Sequence, residues 1–425
     1  MRRPYAEVAR AVIAPFIGAD MPSEALGAMI DASYANFRHA AVTPLVQIDD
    51  NLFVLELFHG PTLAFKDVAM QLLARMMNAA LKAADRRATI VGATSGDTGA
   101  AAVEAFKGLD RIDVFILYPH GRVSDVQRRQ MTTVEDTNIH ALAVDGTFDD
   151  CQAMLKGMFN HAAFRDEVAL SGVNSINWAR IVAQVVYYFT AAAALGGPHR
   201  PVSFAVPTGN FGDALAGDVA RRMGLPVGRL HIATNRNDIL ARTLATGAYE
   251  MQGVAATQSP SMDIQISSNF ERLLFDLHGR DAAQVRAMMD GLAQSRRFEI
   301  APEPLARLRR DFSAAATDEE GTTQEMRRTY KASGYVLDPH TAVGVSVARR
   351  ALAQGSAGPM VALGTAHPAK FPDAVRRAIG INPALPGHLA DIGVRKERVT
   401  RIANDRREVE AFVRARARAV QGQHA

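Results

Sequence analysis

Short apolar runs alternate with stretches of helical periodicity over residues 88 to 234, and this alternation constrains the fold more than any other feature. The runs predicted as strands are 88–91, 112–117, 139–144, 202–206 and 230–234, and a further strand is predicted at 360–363. Parallel strands need a crossover connection, and a helix between them supplies it. The sequence therefore predicts an α/β fold with doubly wound, mostly parallel sheets.

The length of the chain predicts two lobes. At 425 residues the chain exceeds the size at which a single hydrophobic core keeps growing, so two lobes with a cleft between them are expected. The predicted boundaries are 1–45 for an N-terminal helical segment, 46–170 and 171–390 for the lobes, and 391–425 for an arginine-rich, solvated surface helix. Residues 235–270 show the weakest pattern, and helices are predicted from there to about residue 332.

Composition excludes several functional classes. The 48 basic and 44 acidic residues leave a formal charge of only +4, without a basic block or aromatic platform, so no nucleic-acid partner is expected. One cysteine, Cys151, excludes an internal disulfide and a cysteine-rich zinc site. No secretory signal or membrane-spanning run of apolar residues is present. We expect a cytoplasmic protein with a small-molecule substrate and no membrane partner.

Lys66 is the first candidate for chemistry. Lysine stands at only seven positions, and Lys66 follows a Gly60-Pro61 turn between Phe65 and a long apolar helix. Burial lowers the pKa of a lysine, which makes this residue a candidate for covalent imine chemistry. The alternative is a lysine at a helix start whose amine extends into water.

Two small-residue loops each follow a predicted strand and open a helix. They are Ala93 to Gly99 and Pro207 to Asp213. Backbone N–H groups at a helix start favour an anion, and two such loops in one sheet indicate a phosphorylated ligand across the strand ends. Neither loop has the lysine of a Walker A motif or a Gly-x-Gly-x-x-Gly pattern. The alternative for each is a capped strand-to-helix turn.

Three further segments carry polar groups. Arg180 follows Asn174 and Ser175, and its planar guanidinium suits either a phosphate or carboxylate ligand or a surface ion pair. His340 and His367 lack metal-ligand spacing, so both are expected to be hydrogen-bonded structural histidines, and no metal site is predicted.

Five motifs, taken together, resemble threonine synthase in its longer bacterial and fungal form. They are the Lys66 stretch, Ser95 to Gly99, Gly209 to Asp213, Leu337 to Gly344 and Thr365 to Phe371, in order within residues 4 to 395. The resemblance implies a two-lobed fold-type II pyridoxal phosphate enzyme, similar to the tryptophan synthase β subunit. It implies conversion of O-phospho-L-homoserine and water to L-threonine and phosphate, the last step of threonine biosynthesis, by γ-elimination and β-addition of water.

The resemblance also implies residue roles. Lys66 would hold the cofactor covalently and, once freed and neutral, remove the α-proton of the substrate; Thr365 would face the pyridine nitrogen. The cofactor phosphate would lie against Gly209, Asn210, Phe211, Gly212 and Asp213. The substrate would contact Ser95, Asp97 and Thr98 at its amino-acid end, and Asn174, Ser175 and Arg180 at its phosphate. Lobe 46–170 would thus carry the lysine and substrate loop, and lobe 171–390 the cofactor-phosphate cradle.

The resemblance has one departure and leaves rival interpretations. Before Tyr5 the family usually carries a Ser-Thr-Arg-Gly signature and a Gly-Gly-Leu-Tyr-Val-Pro strand, which this sequence lacks. We expect that a missing strand would leave a sheet edge or apolar face uncovered. The rivals are a threonine dehydratase or β-replacement synthase, whose substrates carry no γ-phosphate, and a non-catalytic ligand-binding homologue. The sequence does not fix the oligomeric state.

Overall fold

Two sheets, mostly parallel, form the framework of residues 3–421, the part of the chain that the computed structural model describes. The strands are β1 (Leu45–Asp49), β2 (Leu52–Glu56), β3 (Ala88–Ala93), β4 (Ile112–Pro119), β5 (Ile139–Val144), β6 (Leu170–Ser171), β7 (Val202–Pro207), β8 (Val227–Thr234), β9 (Ala248–Glu250), β10 (Arg297–Glu299), β11 (Phe312–Ala316), β12 (Met360–Gly364) and β13 (Thr400–Ile402). A six-stranded sheet has the order β1-β2-β12-β7-β8-β11, and a five-stranded sheet has the order β13-β5-β4-β3-β6. Strands β9 and β10 form a separate antiparallel pair.

Helices connect most of these strands, as the predicted α/β alternation requires. They are α1 (Tyr5–Ile17), α2 (Ser23–Tyr34), α3 (Lys66–Ala83), α4 (Asp97–Phe106), α5 (Asp125–Thr132), α6 (Phe148–Asn160), α7 (Ala162–Glu167), α8 (Trp178–Ala194), α9 (Gly212–Arg222), α10 (Ile239–Thr246), α11 (Phe270–Leu277), α12 (Ala282–Ser295), α13 (Pro302–Asp311), α14 (Glu319–Ser333), α15 (Pro339–Ala353), α16 (Pro372–Ile379), α17 (Arg406–Arg414) and α18 (Arg418–Gln421). The predicted fold class is confirmed.

The chain divides into two compact units, each assembled from separate segments. The first unit comprises the chain up to Gly18 together with His39–His59 and Trp178–Pro383, and it contains the six-stranded sheet. The second comprises Ala19–Arg38, Gly60–Asn177 and the chain from Ala384 onward, and it contains the five-stranded sheet. The four contiguous ranges given above remain a prediction about domains.

In the first unit, β12 lies inside the sheet between β2 and β7 and runs parallel to both. Every residue of β7 and β12 is buried. Strands covered on both faces appear in sequence as continuous apolar runs, which is why both strands could be located in advance. Thr365 follows β12 and the loop 208–211 follows β7, so both segments leave the sheet at the carboxyl ends of neighbouring strands.

In the second unit, β4 occupies the centre and all eight of its residues are buried. Its neighbours β3 and β5 run parallel to it in continuous register. The loop at 94–96 follows β3 and leads into α4, so this loop also begins at the carboxyl end of a parallel strand. It belongs to the five-stranded sheet, whereas the loop at 208–211 belongs to the six-stranded sheet, so the prediction that both loops share one sheet is wrong.

The structure places a strand in the region predicted to be dominated by helices up to about residue 332. Phe312 to Ala316 form β11, which pairs in parallel with β8 and closes one edge of the six-stranded sheet. The segment reads Phe-Ser-Ala-Ala-Ala, and alanine favours a helix in the absence of tertiary contacts. Pairing with β8 overrides that local preference.

The structure also corrects the prediction of a single solvated helix over residues 391–425, of which it describes the part up to 421. Thr400 to Ile402 pair with β5 and extend the five-stranded sheet. Helix α17 then buries Val409 and Val413 in the cluster that contains Cys151 and Met154. The two valines are four residues apart and share one helix face, a signal that the surrounding arginines obscured.

No helix among residues 3–421 is both long enough and apolar enough to cross a bilayer.

The Val409→Ala substitution tests the corrected role of the C-terminal segment. Val409 is fully buried, whereas Arg407 in the same helix is exposed. Two methyl groups leave the core, so we expect the free energy of unfolding to fall by about 2 kcal/mol. The control Arg407→Ala should change it by less than about 0.5 kcal/mol. Urea unfolding of both variants measures the difference, and equal small effects would restore the solvated-helix interpretation.

Candidate active site

The turn before helix α3 closes on a carboxylate of the helix itself. Asp67 accepts hydrogen bonds from the Thr62 backbone N–H, at 2.8 Å, and from the Thr62 hydroxyl, at 2.6 Å. A Cβ at Gly60 would lie 2.5 Å from Asp67 Oδ2, so only glycine fits there. These contacts hold Lys66 as the first residue of the helix.

The same turn contains a residue in an unfavourable conformation. Leu63 has a φ of +63°, in the left-handed region, which costs a non-glycine residue roughly 1 to 3 kcal/mol. The side chain of Gln130 donates to the Thr62 carbonyl at 3.1 Å, and His388 Nε2 lies 3.1 Å from the Pro61 carbonyl. Neighbouring segments of the second unit therefore stabilise a backbone shape that the turn would not hold alone.

Lys66 is buried, with 7% of its surface exposed. Its Nζ lies 3.6 Å from Asp97 Oδ2 and 4.7 Å from the centre of the Phe65 ring. The alternative interpretation, an amine extended into water, is therefore wrong. The position of Asp97 beside this amine was not predicted, because the motif placed it only in the substrate loop.

The loop between β3 and α4 is built around a buried hydroxyl. Thr94 Oγ1 accepts hydrogen bonds from the backbone N–H groups of Gly96 and Gly99, both at 2.9 Å. Gly96 has a φ of +140°, and a Cβ there would overlap the side chain of Gln127. Gln127 in turn donates to Asp97 Oδ1 at 2.8 Å. Ser95 on this loop and Thr98 in the first turn of α4 are half-buried, whereas Asp97 between them is buried and fixed.

In the first unit, the loop between β7 and α9 is enclosed by the segment 259–269. A Cβ at Gly209 would lie 2.7 Å from the Ser261 carbonyl oxygen, so this position also requires glycine. The Ser267 hydroxyl donates to the Gly209 carbonyl at 2.7 Å, and the Asn269 backbone N–H donates to the Asn210 carbonyl at 3.1 Å. With both carbonyls bonded to this segment, the loop turns into the N-terminus of α9 at Gly212.

Phe211 and Asp213 secure the start of helix α9. Phe211 has a φ of +63° and is buried against the rings of Phe270 and Phe312. The Asp213 carboxylate accepts a short hydrogen bond from the Tyr187 hydroxyl. The amides of a helix's first turn have no partner inside the helix, so this N-terminus can receive an anion.

Arg180 lies in the same neighbourhood. Only 3% of its surface is exposed, and burial lowers the pKa of its guanidinium to about 10, against the opposing effect of the Asp213 carboxylate. The alternative of a surface ion pair is therefore wrong. Asn174 and Ser175 belong to the second unit, exposed and half-buried respectively, whereas Arg180 belongs to the first.

The segment after β12 brings Thr365 and His367 to the carboxyl end of the central strand. Thr365 is 6% exposed, and its backbone N–H donates to Thr341 Oγ1 at 3.2 Å. Burial, together with the nearby His59, lowers the pKa of His367 to about 4, which favours the neutral ring at pH 7. His367 Nδ1 accepts from the Ala369 N–H at 3.1 Å, which confirms it as a hydrogen-bonded histidine.

A second buried lysine follows this segment. Lys370 is fully buried in a short 3-10 turn, whereas motif analysis had singled out Lys66 alone. No group of three or more histidine, cysteine, aspartate or glutamate side chains within residues 3–421 is arranged to hold a metal ion.

Comparison with known proteins places this geometry in a family. Residues 37–365 match the pyridoxal-phosphate dependent enzyme family, and residues 341–413 match the C-terminal region of threonine synthase. Threonine synthase from Pseudomonas aeruginosa is 51% identical over 96% of this chain and 87% of its own length. The chain belongs to the threonine synthase family. It is therefore a lyase that uses pyridoxal phosphate and acts on a small-molecule substrate.

Solved structures of threonine synthases agree with this assignment. The pyridoxal phosphate-bound threonine synthase from Brucella melitensis superposes with a TM-score of 0.95 at 60% identity, covering 98% of this chain and 89% of that one. The yeast threonine synthase gives a TM-score of 0.92 at 40% identity, covering 97% and 88%. The predicted family, fold-type II architecture and cofactor are confirmed, and the rival enzyme classes are excluded.

The residues of this chain fit the cofactor within each unit. The second unit offers a buried primary amine at Lys66, and the first offers a glycine-containing helix N-terminus at 209–213 and a hydroxyl at Thr365. The amine suits the aldehyde of the cofactor, the helix N-terminus suits its phosphate, and the hydroxyl suits its ring nitrogen. The individual roles of the predicted site residues remain predictions.

The residues that support the site lie outside the sequence motifs. Gln127, Ser261 and Ser267 hold predicted site residues in place, yet they lie 30 to 58 positions away along the chain. The only signal in the sequence was the polar composition of residues 235–270. Within that region Asp263 Oδ1 accepts hydrogen bonds from Asn235 and Asn237, at 2.8 and 2.9 Å, which folds the segment that encloses Gly209.

The Thr94→Val substitution tests the support of the β3–α4 loop. It leaves two backbone N–H groups without their acceptor, and each costs about 1 to 3 kcal/mol, so we expect the free energy of unfolding to fall by roughly 2 to 4 kcal/mol. Thr94→Ser keeps the hydroxyl and should restore most of the lost free energy of unfolding. Thr89→Val is a matched control on the adjoining strand, because the Thr89 hydroxyl is buried without a hydrogen-bond partner among residues 3–421. That control should be neutral or stabilising in chemical denaturation, and equal losses in Thr94→Val and Thr89→Val would contradict the assignment.

Proposed function

We propose that this chain converts O-phospho-L-homoserine and water to L-threonine and phosphate, with Lys66 as the catalytic base. The observation that carries the proposal is the burial of Lys66 beside the carboxylate of Asp97, at 3.6 Å. A buried amine can lose its proton, and an adjacent carboxylate can stabilise the ammonium form when the proton returns. Both properties suit a residue that takes a proton in one step and gives it back in another.

The residues of the second unit then have defined tasks. When bound, pyridoxal phosphate supplies an aldehyde for attachment to an amine and a conjugated ring that withdraws electrons from the α-carbon. Lys66, freed by the substrate's amine, takes the α-proton on Nζ, and Asp97 stabilises the resulting ammonium. A second proton is taken from the β-carbon as the bond between the γ-carbon and oxygen breaks and phosphate departs. A proton then returns to the γ-carbon, which becomes a methyl group, and water adds its hydroxyl at the β-carbon. The proton held on Lys66 and the remaining proton of water go to the α-carbon and the departed phosphate. Ser95 and Thr98 offer hydroxyl groups to the substrate's carboxylate.

In the first unit, Gly209 to Asp213 are proposed to bind the cofactor phosphate through backbone N–H groups. The Asp213 side chain does not serve as a phosphate ligand in this proposal, because its carboxylate accepts from Tyr187 and carries the same sign of charge as the phosphate. Thr365 is proposed to place a neutral hydroxyl at the ring nitrogen. A hydroxyl leaves that nitrogen unprotonated, which moderates the withdrawal of electrons.

Arg180 has two candidate roles. The family resemblance proposes it, with Asn174 and Ser175, as a ligand of the substrate phosphate. Its proximity to Asp213 favours a second role, in which the guanidinium neutralises that carboxylate and so makes the start of α9 acceptable to the cofactor phosphate. The cytoplasmic location predicted from the sequence remains a prediction.

Covalent trapping tests the assignment of Lys66. Borohydride reduction of the cofactor-loaded protein, followed by peptide mass spectrometry, should place the adduct on Lys66. Lys66→Met should abolish the adduct and lower kcat by about 100-fold to 10,000-fold, the usual contribution of a positioned base. Lys370→Met is the matched control because Lys370 is also buried, and it should retain the adduct. An adduct on Lys370 in the wild-type protein would refute the proposal.

The Arg180→Ala substitution separates the two phosphate roles. If Arg180 neutralises Asp213, its removal takes the positive partner from a buried carboxylate, which costs about 3 to 5 kcal/mol. We then expect the Kd for pyridoxal phosphate to rise at least about 10-fold, since part of that loss appears in binding. Selectivity for phosphohomoserine over homoserine should persist, and Arg180→Lys should recover part of the affinity.

The opposite result would favour the substrate-phosphate role of Arg180. In that case kcat/KM for phosphohomoserine falls by roughly 30-fold to several thousand-fold, the loss expected for about 2 to 5 kcal/mol, while cofactor affinity is unchanged. Cofactor affinity is read by fluorescence titration of the apoenzyme, and selectivity by phosphate release from the two substrates.

A further inference from the structure

A continuous chain of hydrogen bonds in the first unit connects the segment after β12 with the segment that encloses Gly209. The Thr365 backbone N–H donates to Thr341 Oγ1 at 3.2 Å, and the Thr341 hydroxyl donates to Asp338 Oδ2. Asp338 Oδ1 lies 2.9 Å from His340 Nδ1, and the Ser261 backbone N–H donates to His340 Nε2 at 3.3 Å. Asp338, Thr341 and His340 stand at the start of helix α15.

The middle of this series of hydrogen bonds is buried, which makes its geometry specific. Asp338, His340 and Thr341 are each no more than 3% exposed. His340 Nδ1 faces a carboxylate and Nε2 accepts an N–H, so both ring nitrogens are bonded and the imidazole is held in one orientation. A buried polar group that loses its partner destabilises the structure, so each link favours the presence of the next.

Both ends of this chain meet a proposed cofactor contact. At one end is Thr365, the residue proposed to face the ring nitrogen. At the other end, the carbonyl oxygen of Ser261 occupies the space that a Cβ on Gly209 would fill, at 2.7 Å, so Ser261 forms the wall behind the proposed phosphate loop.

Backbone pairing alone does not connect these two ends. The register between β12 and β7 ends at Ala362 and Ala205, before either loop begins. Pro207, the last residue of β7, has no N–H with which to continue the ladder. Helix α15 lies against this point, since a Cβ at Gly344 would lie 2.9 Å from the Pro207 ring. The side chains at the start of α15 therefore supply the connection that the strands lack.

We infer that Asp338, His340 and Thr341 are positioning residues that fix the spacing between Thr365 and the Gly209 loop. This inference rests on the proposed function, because it takes Thr365 and Gly209 as the contacts for the two ends of one ligand. A ligand that binds at two points gains affinity when both points are held at the correct separation beforehand. A ligand that binds at one point gains nothing from that separation.

The test compares a two-point ligand with a one-point ligand. Thr341→Val keeps the shape of the side chain but removes the hydroxyl between Thr365 and Asp338. We expect the Kd of the apoenzyme for pyridoxal phosphate to rise about 10-fold, the usual effect of one buried hydrogen bond left unmade. The Kd for inorganic phosphate, measured by calorimetry on the same apoenzyme, should change by less than about 3-fold. Thr341→Ser should restore the cofactor affinity.

His340→Gln and Val345→Ala complete the series. His340→Gln interrupts the chain at its other end and should reproduce the selective loss of cofactor affinity even if Thr341→Val folds poorly. Val345 lies in the same helix, buried in an apolar cluster that is not part of the hydrogen-bond series. Val345→Ala should therefore lower the melting temperature without selective loss of cofactor affinity.

Three results would overturn the inference. They are unchanged cofactor affinity in both chain variants, an equal loss of affinity for cofactor and phosphate, or the same selective loss in Val345→Ala. Failure of the proposed function has a different signature. If Lys66 is not the trapped lysine, or if Thr365→Val leaves the absorbance spectrum of the bound cofactor unchanged, the assigned roles are wrong. A selective loss in Thr341→Val would still support the connection between the two loops.

Discussion

Buried carboxylates, and the donors that each must have, organise the loops at the strand ends. A carboxylate removed from water needs hydrogen bonds or a countercharge to remain ionised. Asp67 meets this need with Thr62, Asp97 with Gln127 and Lys66, and Asp213 with Tyr187. Asp338 does so with the amides and side chains of its own helix start. Each aspartate therefore fixes one loop in one conformation, and the proposed chemistry depends on those conformations.

Much of the fold could be predicted from the sequence because burial on two faces leaves an unmistakable apolar pattern. β4, β7 and β12 were found for this reason. β11 was missed because its alanines favour a helix until β8 provides a partner, and β13 was missed because three residues are too few to show a period. Both strands exist through pairing with residues distant in sequence, which no local pattern contains.

A site residue could be predicted from the sequence where the chemistry requires one residue type at one position. The distant side chain that contacts such a residue could not be predicted. Lys66 and Gly209 stand in local motifs, and the structure gives physical reasons for both, since one is buried beside a carboxylate and the other has no room for a Cβ. Asp97 beside Lys66, and Asp213 beside Arg180, are relations across the fold. The motifs contain these residues but do not show which of them lie beside each other in the fold.

The C-terminal contribution to the five-stranded sheet has a consequence for biosynthesis. β5 and the apolar cluster around Cys151 are covered by β13 and α17, which are translated more than 250 residues later. Until those elements leave the ribosome, the second unit presents an open strand edge and an uncovered apolar face, the features that make nascent chains adhere to one another. During this interval of translation the second unit depends on dilution or on chaperones. The interval lasts as long as the synthesis of the intervening first unit.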